Sequence, residues 1–504
     1  MKTLIFILAF LISFKAHCQY ISFENLDRSA KNEDVIAEIG NIKITAEEFL
    51  YSYEFGPAFP KRKAESKKTY LNYMINEKLL ALAAYEENLM DNENIKDIFN
   101  DIKGDLAAEE MFKEEIVPQI QINNAEIQKV IRTKQKEYQL RWLYTKDFSK
   151  VEGYLRSFKR GASFDSLFAE QLNDSVNIDD RQIKSSLFSI YQKNPQFGQI
   201  VDTLKPGTIS SPIHTDDGWY IVKIDNILSD MVTSESEYDK LKYESEQTIT
   251  QSKMGILSDK FISSLFKDEE PIIKRDVFNV LRSYLGKFVL DSETYKNWDL
   301  DDKIDIALKN LGLKKGDKFS NLVLVTGKNF NIPISDFIIW YKNRENYIKI
   351  LKNNLQTFSQ SLEKYVWLMV RDNLLIKDAD NKGYDKSEWV NKQAQWWKDK
   401  IAYSTYRNKL TNSITLTDEE LKLINDNKKS QSEIMSDELS KKLLHKILEL
   451  KKEYKVKIND DVLNRIKVSD ENDKRAIDMY IVKRGNLFPR PPYPTIDKDW
   501  ENWE

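Results

Sequence analysis

The chain has 504 residues, of which 77 are lysine or arginine and 80 are aspartate or glutamate, giving a formal net charge of -3. This balance leaves no basic surplus of the kind that phosphate binding uses, so we expect no nucleic-acid partner. Charged residues make up 31% of the chain, and glycine and proline are scarce. Such a composition favours long, solvated helices over a compact β-rich fold, and the length indicates several domains.

The first residues have the pattern of a secretory signal peptide. Lys2 precedes an apolar run at 4–12, which is about half of the ~20 residues that cross a membrane, and a small-residue cleavage site precedes Gln19. We therefore predict export, with cleavage near Cys18/Gln19 and no membrane span in the mature chain. A lipoprotein acylated at Cys18 is the alternative.

Cleavage at that point removes the only cysteine of the chain. The mature protein is then expected to have no disulfide, no thiol nucleophile and no thiolate metal site. It keeps two histidines, His214 and His445, which lie far apart in the sequence. We accordingly expect neither a metal nor another cofactor.

Residues 35–55, VIAEIGNIKITAEEFLYSYEF, predict two short strands followed by a helix. Two apolar runs come first, and Thr45 with Glu48 then has the spacing of a capping box. Residues 323–343, VLVTGKNFNIPISDFIIWYKN, repeat the pattern with one residue inserted. Pro333 stands near the second helix start, where proline is favourable.

Further landmarks follow in the same order in both halves. Amphipathic helices are predicted at 70–89 and 357–375, and capped helices at 120–131 and 414–425. We interpret this order as a duplicated helical region. The alternative is that any two highly charged helical regions look alike.

The middle of the chain has a different pattern. YQLRWLYT at 138–145 predicts a strand, and KRGASFDSLFAEQLNDS at 159–175 predicts a helix capped by Ser163. LKPGTISSPIHTDDGWYIVKI at 204–224 predicts a closing hairpin with Pro-Gly and Asp-Gly turns. These motifs resemble parvulin prolyl isomerases over residues 137–228. The resemblance implies a small α+β domain with a four-stranded antiparallel sheet packed with helices.

The resemblance also implies where an isomerase site would lie. Rotation about an Xaa-Pro bond faces a barrier of ~20 kcal/mol, so a catalyst must grip the proline and favour the twisted amide. The two core histidines of parvulins fall on Trp142 and Tyr220. The acidic or thiol position falls on Asp174 or Ser175, and the pocket phenylalanine on Phe197.

We therefore predict substrate-binding positions at Trp142, Asp174, Phe197 and Tyr220, with no assigned catalytic residue. Two imidazoles are replaced by larger aromatic rings, which suit a filled sheet core better than a polar pair. The isomerase activity is accordingly expected to be weak or lost.

Neighbouring positions depart from the parvulin pattern as well. The apolar Met/Leu position of the pocket falls on Lys193, and the glycine-rich segment before the pocket is replaced by NIDDRQIKSSLFS at 177–189. His214 is expected in a solvated loop before the last strand. It is not expected to act as a base or a ligand.

The order of strand pair, T-x-E-E-F, long helices and capped helix resembles the N-terminal region of SurA-like periplasmic foldases, where it precedes a parvulin domain. The resemblance implies a periplasmic chaperone that binds unfolded or extended polypeptides, including secreted or outer-membrane barrel proteins. Two alternatives stay open: an active peptidyl-prolyl isomerase, and a non-catalytic subunit of an outer-membrane assembly or secretion machine.

Two aromatic segments admit more than one interpretation. The helix at 389–406 is interpreted as packing core, with an aromatic groove for unfolded chains as the alternative. The tail at 485–504 has four prolines and is expected to be extended. It is expected to pack on another domain, to dock on a partner, or to be disordered.

The predicted fold is mainly α-helical, with duplicated chaperone domains and one small α+β parvulin-like domain. The predicted segments are the signal peptide 1–18, the SurA-like helical region 19–136, the parvulin-like domain 137–228, a helical return or linker 229–317, a second SurA-like helical region 318–428, a C-terminal helical region 429–484 and the extended tail 485–504.

Overall fold

The computed structural model describes residues 31, 33–172, 176–229, 234–314, 317–345, 348–426, 428–468 and 492–503. The predicted signal peptide lies outside these described residues. The chain divides into two compact units, one of residues 120–253 and one formed by the residues before and after it. No described helix combines the length and the apolar character that a membrane span requires.

Helices dominate the structure, as predicted. The α-helices are α1 (Ala46–Phe55), α2 (Ser66–Glu86), α3 (Glu93–Glu115), α4 (Asn124–Gln135), α5 (Phe148–Lys159), α6 (Phe164–Gln171), α7 (Leu187–Lys193), α8 (Pro195–Val201), α9 (Glu235–Glu269), α10 (Arg275–Val289), α11 (Ser292–Asn297), α12 (Leu300–Asn310), α13 (Ile334–Arg344), α14 (Leu355–Asn381), α15 (Glu388–Asn412), α16 (Asp418–Asn425), α17 (Gln431–Glu453) and α18 (Asp460–Arg465). The strands are β1 (Val35–Ile39), β2 (Ile42–Thr45), β3 (Lys136–Thr145), β4 (Gln182–Ser186), β5 (Ile213–Thr215), β6 (Gly218–Ser229), β7 (Ile272–Ile273), β8 (Val323–Thr326), β9 (Asn331–Pro333) and β10 (Val456–Ile458).

The first predicted strand pair is present, and a strand from much later in the chain joins it. β1 pairs antiparallel with β2 on one edge and with β10 on the other. Thr45 caps α1 by accepting a hydrogen bond from the Glu48 amide at 3.2 Å. The Glu48 carboxylate instead contacts the Nζ atom of buried Lys78 at 2.6 Å, so only half of the expected capping box forms.

The second predicted strand pair is also present. β8 lies between β9 and β7 in a three-stranded antiparallel sheet. Pro333 directly precedes α13, in agreement with the predicted helix start. Each hairpin thus receives a third strand that follows a long helix, α17 for β10 and α9 for β7.

One apolar core joins the N-terminal helices to elements from the other end of the chain. Its buried side chains include Phe49 of α1, Tyr70 of α2, Tyr403 of α15 and Leu443 of α17. Burial of such apolar area is the main favourable term in folding. The N-terminal hairpin and its helices are therefore completed by residues that follow the 120–253 unit.

A buried ion triad lies inside this core. The Lys78 Nζ atom contacts Glu48 Oε1 and Asp399 Oδ2, each at 2.6 Å. The Tyr85 hydroxyl donates to the other Asp399 oxygen at 2.7 Å. Burial lowers the pKa of Lys78, but the two carboxylates outweigh it and the pKa is raised. The ammonium is thus held charged between α1, α2 and α15.

A second buried cluster surrounds Arg344 at the end of α13. Its guanidinium contacts Asp101 at 2.7 Å and Asp105 at 2.5 Å, both on α3, and Asp372 of α14 at 3.9 Å. Burial raises the pKa of the Asp105 carboxyl well above its ordinary value, although the Arg344 charge opposes that change. Arg344 therefore connects the second hairpin region to a helix of the first.

Residues 492–503, here called the C-terminal strap, pack on the same chain. Trp500 and Trp503 are 1% and 3% exposed. The Trp500 indole donates to Glu77 Oε1 at 3.0 Å, and the Asp497 amide donates to the same oxygen at 2.6 Å. The described part of the predicted tail is therefore an intramolecular element, with both tryptophans inside the core.

The predicted aromatic helix is α15. Trp396, Tyr403 and Tyr406 are buried, which confirms the core interpretation for these three side chains. Trp389 and Trp397 are only half-buried. These two rings pack against a separate small apolar cluster that includes Leu106 and Val390.

We expect Trp500→Ala to destabilise the protein by about 3–5 kcal/mol, because a large buried ring and its hydrogen bond to Glu77 are lost. Leu448→Ala is the matched control, since that side chain is 61% exposed on α17. It should change the free energy of unfolding by no more than about 0.5 kcal/mol. Urea unfolding curves measure both values, and equal midpoints for the two variants would contradict a structural strap.

Candidate functional site

The 120–253 unit contains the predicted four-stranded antiparallel sheet, in the order β4-β3-β6-β5. Leu143 and Ile221 face α5 and α6 on one side, and Leu140 and Val222 face α7 and α8 on the other. The compact unit also includes α4, which packs against α9 in a separate apolar cluster. The narrower boundaries 137–228 stay a prediction.

The helix cap and the glycine turns that the sequence predicts in this unit are present. Ser163 accepts a hydrogen bond from the Ser166 amide at 3.1 Å and so caps α6. Gly161 and Gly207 have φ values of +93° and +81°, a region that glycine adopts without steric cost. These turns precede α6 and the closing hairpin β5–β6, which forms one edge of the sheet.

Three of the predicted pocket positions lie together on one face of the sheet. Trp142 on β3, Tyr220 on β6 and Phe197 on α8 are half-buried and pack against the same apolar cluster. The rings of Phe197 and Tyr220 meet edge to face with centroids 5.6 Å apart. Asp174, the predicted acidic position, lies outside the described residues.

The strand register brings a fourth ring into the site. Tyr144, rather than Trp142, is paired directly with Tyr220, and their ring centroids are 5.1 Å apart. Gly218 permits this approach, because a Cβ atom there would lie 2.7 Å from a Tyr144 ring carbon. The sequence contained a signal for Tyr144, since side chains two residues apart on a strand share a face.

Asp217 organises the hydroxyl groups of this site. Its carboxylate accepts hydrogen bonds from Tyr220 at 2.6 Å and Thr215 at 2.5 Å, and its backbone carbonyl accepts one from Tyr144 at 2.6 Å. Burial raises the pKa of Tyr220, and the hydrogen bond to the Asp217 carboxylate raises it further. Partial burial raises the pKa of Asp217, but the two side-chain donors outweigh it and the pKa is lowered.

Lys193 and His214, which the sequence analysis also discussed, do not belong to this aromatic cluster. Lys193 ends α7 and is exposed, whereas Tyr191 from the same helix packs on the cluster. His214 lies on β5 and not in a loop, because it pairs with Trp219 on β6. It is exposed, as expected, and its ring centroid is 4.4 Å from that of Trp219.

The site therefore presents packed aromatic rings and neutral hydroxyls that are already hydrogen-bonded. It offers apolar contact to a bound chain through half-buried rings. Tyr220 and Tyr144 use their hydroxyl protons in bonds to Asp217, so neither proton is directed at a substrate amide.

Residues 91–239 match the family profile of the PPIC-type peptidyl-prolyl isomerase domain. The chain contains a parvulin-type rotamase domain. A search of curated proteins gives no match.

Several solved structures are similar to parts of the chain. The peptidylprolyl isomerase PrsA of Bacillus cereus is 14% identical, with 57% of this chain and 96% of that chain covered and a TM-score of 0.23. PrsA of Bacillus subtilis is 18% identical, with 46% and 93% covered and a TM-score of 0.17. A chain of the SurA-like chaperones PEB4 and Cj1289 of Campylobacter jejuni is 16% identical, with 46% and 97% covered and a TM-score of 0.21.

We expect Tyr220→Phe to raise the pKa of Asp217 towards its ordinary value, because the carboxylate loses one of its two hydroxyl donors. Tyr144→Phe is the matched control, since its hydroxyl donates to the backbone carbonyl of Asp217. Carboxyl-carbon NMR titration of the rotamase-domain aspartates measures the pKa. Equal shifts in the two variants would show that the Tyr220 hydroxyl does not control this carboxylate.

Proposed function

We propose that the protein is a foldase-type chaperone that holds unfolded polypeptide, and that its rotamase domain binds chains with little or no prolyl isomerisation. Trp142, Phe197 and Tyr220 are proposed as the substrate-binding positions of that domain, together with Asp174. The observation that carries the proposal is the aromatic cluster of Trp142, Phe197 and Tyr220, two of whose positions the resemblance matches to the histidine pair of parvulins. The rotamase scaffold and its antiparallel sheet are present around it.

The site chemistry supports weak catalysis. An isomerase must stabilise the twisted amide more than the planar one. Here the nearest hydroxyls are already bonded to Asp217, and the rings of Tyr144 and Tyr220 pack on one another. These groups provide apolar contact but no unused proton donor for the amide nitrogen. Binding without rate enhancement is the expected result.

The unit formed by the residues before 120 and after 253, here called the helical unit, supports a holding role. We propose that the 35–55 and 323–343 hairpin regions are copies of one chaperone-type region, because both have a central strand, an outer strand and a following helix in the same order. Capping boxes also form at Asn123 with Glu126 and at Thr417 with Glu420, the two positions matched from the sequence. Two such regions would give a client more than one surface.

We further propose that the protein is exported to the periplasm and acts on secreted or outer-membrane barrel proteins. The export proposal depends on the charged residue, the apolar run and the cleavage site in residues 1–18. A holding mechanism of this kind uses binding alone and needs no nucleotide or metal.

We expect the full-length protein to leave cis-trans exchange of an Ala-Pro peptide at its uncatalysed time of tens to hundreds of seconds. Exchange NMR spectroscopy measures the rate at substoichiometric protein. The Trp142→His/Tyr220→His double variant restores imidazoles at both core positions and tests whether their loss explains the inactivity. Robust acceleration by the unaltered protein, reduced by Phe197→Ala, would instead establish an active isomerase.

We also expect the full-length protein, without nucleotide, to slow the aggregation of a urea-unfolded outer-membrane barrel protein after dilution. The reason is that exposed apolar segments of the client would be covered by the chaperone. Light scattering measures the aggregation, and the same barrel protein folded in detergent is the control for binding to native structure. Unchanged scattering at a molar excess of chaperone would refute the holding function.

A further inference from the structure

An open groove of about 690 Å³ lies between α3 and α15 in the helical unit. Its volume falls within the range of about 300–1,000 Å³ that is typical of ligand sites. We call it the α3–α15 groove. Its lining residues all lie outside the 120–253 unit, so the aromatic cluster contributes none of them, although Ile95 and Ile98 fall within the residues 91–239 that match the family profile.

One wall of the groove is apolar. Ile95 and Ile98 lie three residues apart on α3, and Trp397 and Ile401 lie four residues apart on α15. These spacings place each pair on one side of its helix. All four side chains are half-buried, so part of each surface is accessible to a ligand.

The positive charges at the groove are already neutralised. Lys400 contacts Glu77 at 2.7 Å, and Lys409 forms an ion pair with Glu87. Phosphate ligands need uncompensated cationic or backbone donors, which these lysines do not provide. The groove therefore favours an uncharged ligand over a nucleotide or another anion.

The same face of α15 continues with polar side chains that line the groove. Within the described ranges, Ser404, Thr405, Asn408 and Asn412 have no side-chain hydrogen-bond partner, and all four line the groove on α15. Hydroxyl and carboxamide groups both donate and accept. A row of such groups can pair with the N–H and C=O groups of any extended backbone, whatever its sequence.

At the groove edge, one side chain contacts a non-helical segment of the same chain. The Trp397 indole donates to the Pro492 carbonyl at 3.1 Å. Residues 492–497 of the C-terminal strap have no regular secondary structure. Trp397 thus shows that a groove residue can bind a main-chain carbonyl of a segment outside helices and strands.

We propose that the α3–α15 groove binds extended segments of unfolded polypeptide, with Ile95, Ile98, Trp397 and Ile401 contacting apolar side chains and Ser404 and Asn408 pairing with the backbone. The inference rests on the proposed holding function and locates a client site outside the 120–253 unit and its aromatic cluster. Recognition through backbone and apolar contact does not require a proline in the client.

The test uses a fluorescein-labelled, uncharged twelve-residue peptide of alternating leucine and serine that contains no proline. Ile401→Asp in the full-length chain should weaken its binding by about tenfold or more, because a carboxylate replaces part of the apolar wall. Leu448→Asp, at an exposed site on α17, is the matched control and should bind as the unaltered chain does. Fluorescence anisotropy measures the dissociation constants.

The outcomes separate the two proposals. If the unaltered chain binds the peptide and Ile401→Asp binds it equally well, the groove proposal fails and the holding function stands. If the unaltered chain binds neither this peptide nor an unfolded barrel protein, both fail.

A second measurement covers the case in which Ile401→Asp does not fold. A photo-crosslinking side chain at exposed Asn408 should capture the same peptide, whereas one at Asn391 should not. Asn391 is the matched control, because it is an exposed asparagine of the same helix that does not line the groove. Equal capture at both positions would overturn the proposal.

Discussion

Two adjacent residues of α2 hold together segments that are far apart in the sequence. Glu77 accepts hydrogen bonds from Asp497 and Trp500, the latter 423 residues away, and Lys78 contacts Asp399 across 321 residues. A buried ion pair adds little net stability over apolar packing, but loss of one partner leaves an uncompensated charge and is strongly destabilising. These contacts therefore select which helices meet in the N-terminal core.

The two candidate binding surfaces use different chemistry. In the rotamase domain, aromatic rings fill the sheet face and Asp217 engages the hydroxyls of Tyr144 and Tyr220. In the helical unit, the α3–α15 groove combines apolar side chains with polar groups that have no partner within the described residues. The first surface is suited to contact with side chains, and the second to contact with side chains and backbone together. Neither requires charge from the ligand.

Sequence patterns predicted the parts of the fold that depend on nearby residues. The hairpins, the Ser163 cap and the Asp-Gly turn follow from local spacing, whereas the four-stranded sheet was implied by the resemblance to parvulins. Local spacing did not predict which distant segments of the chain these elements contact. No pattern in the nearby sequence predicts that the short strand β10 pairs with β1. Nor does one predict that the Glu48 carboxylate contacts Lys78 instead of completing the cap of α1. Likewise, the motif comparison placed the two parvulin histidine positions on Trp142 and Tyr220, and only the strand register showed that Tyr144 is paired with Tyr220.

The order in which the N-terminal core acquires its parts has a consequence for biogenesis. Chains emerge from synthesis or export N-terminus first, and domains fold as units when their residues become available. The 120–253 unit is continuous in sequence, so it has all its residues well before Trp500 arrives to bind Glu77. Until then the apolar surface around Tyr70 and Tyr73 is uncovered, and the newly made chain exposes apolar surface as an unfolded polypeptide does.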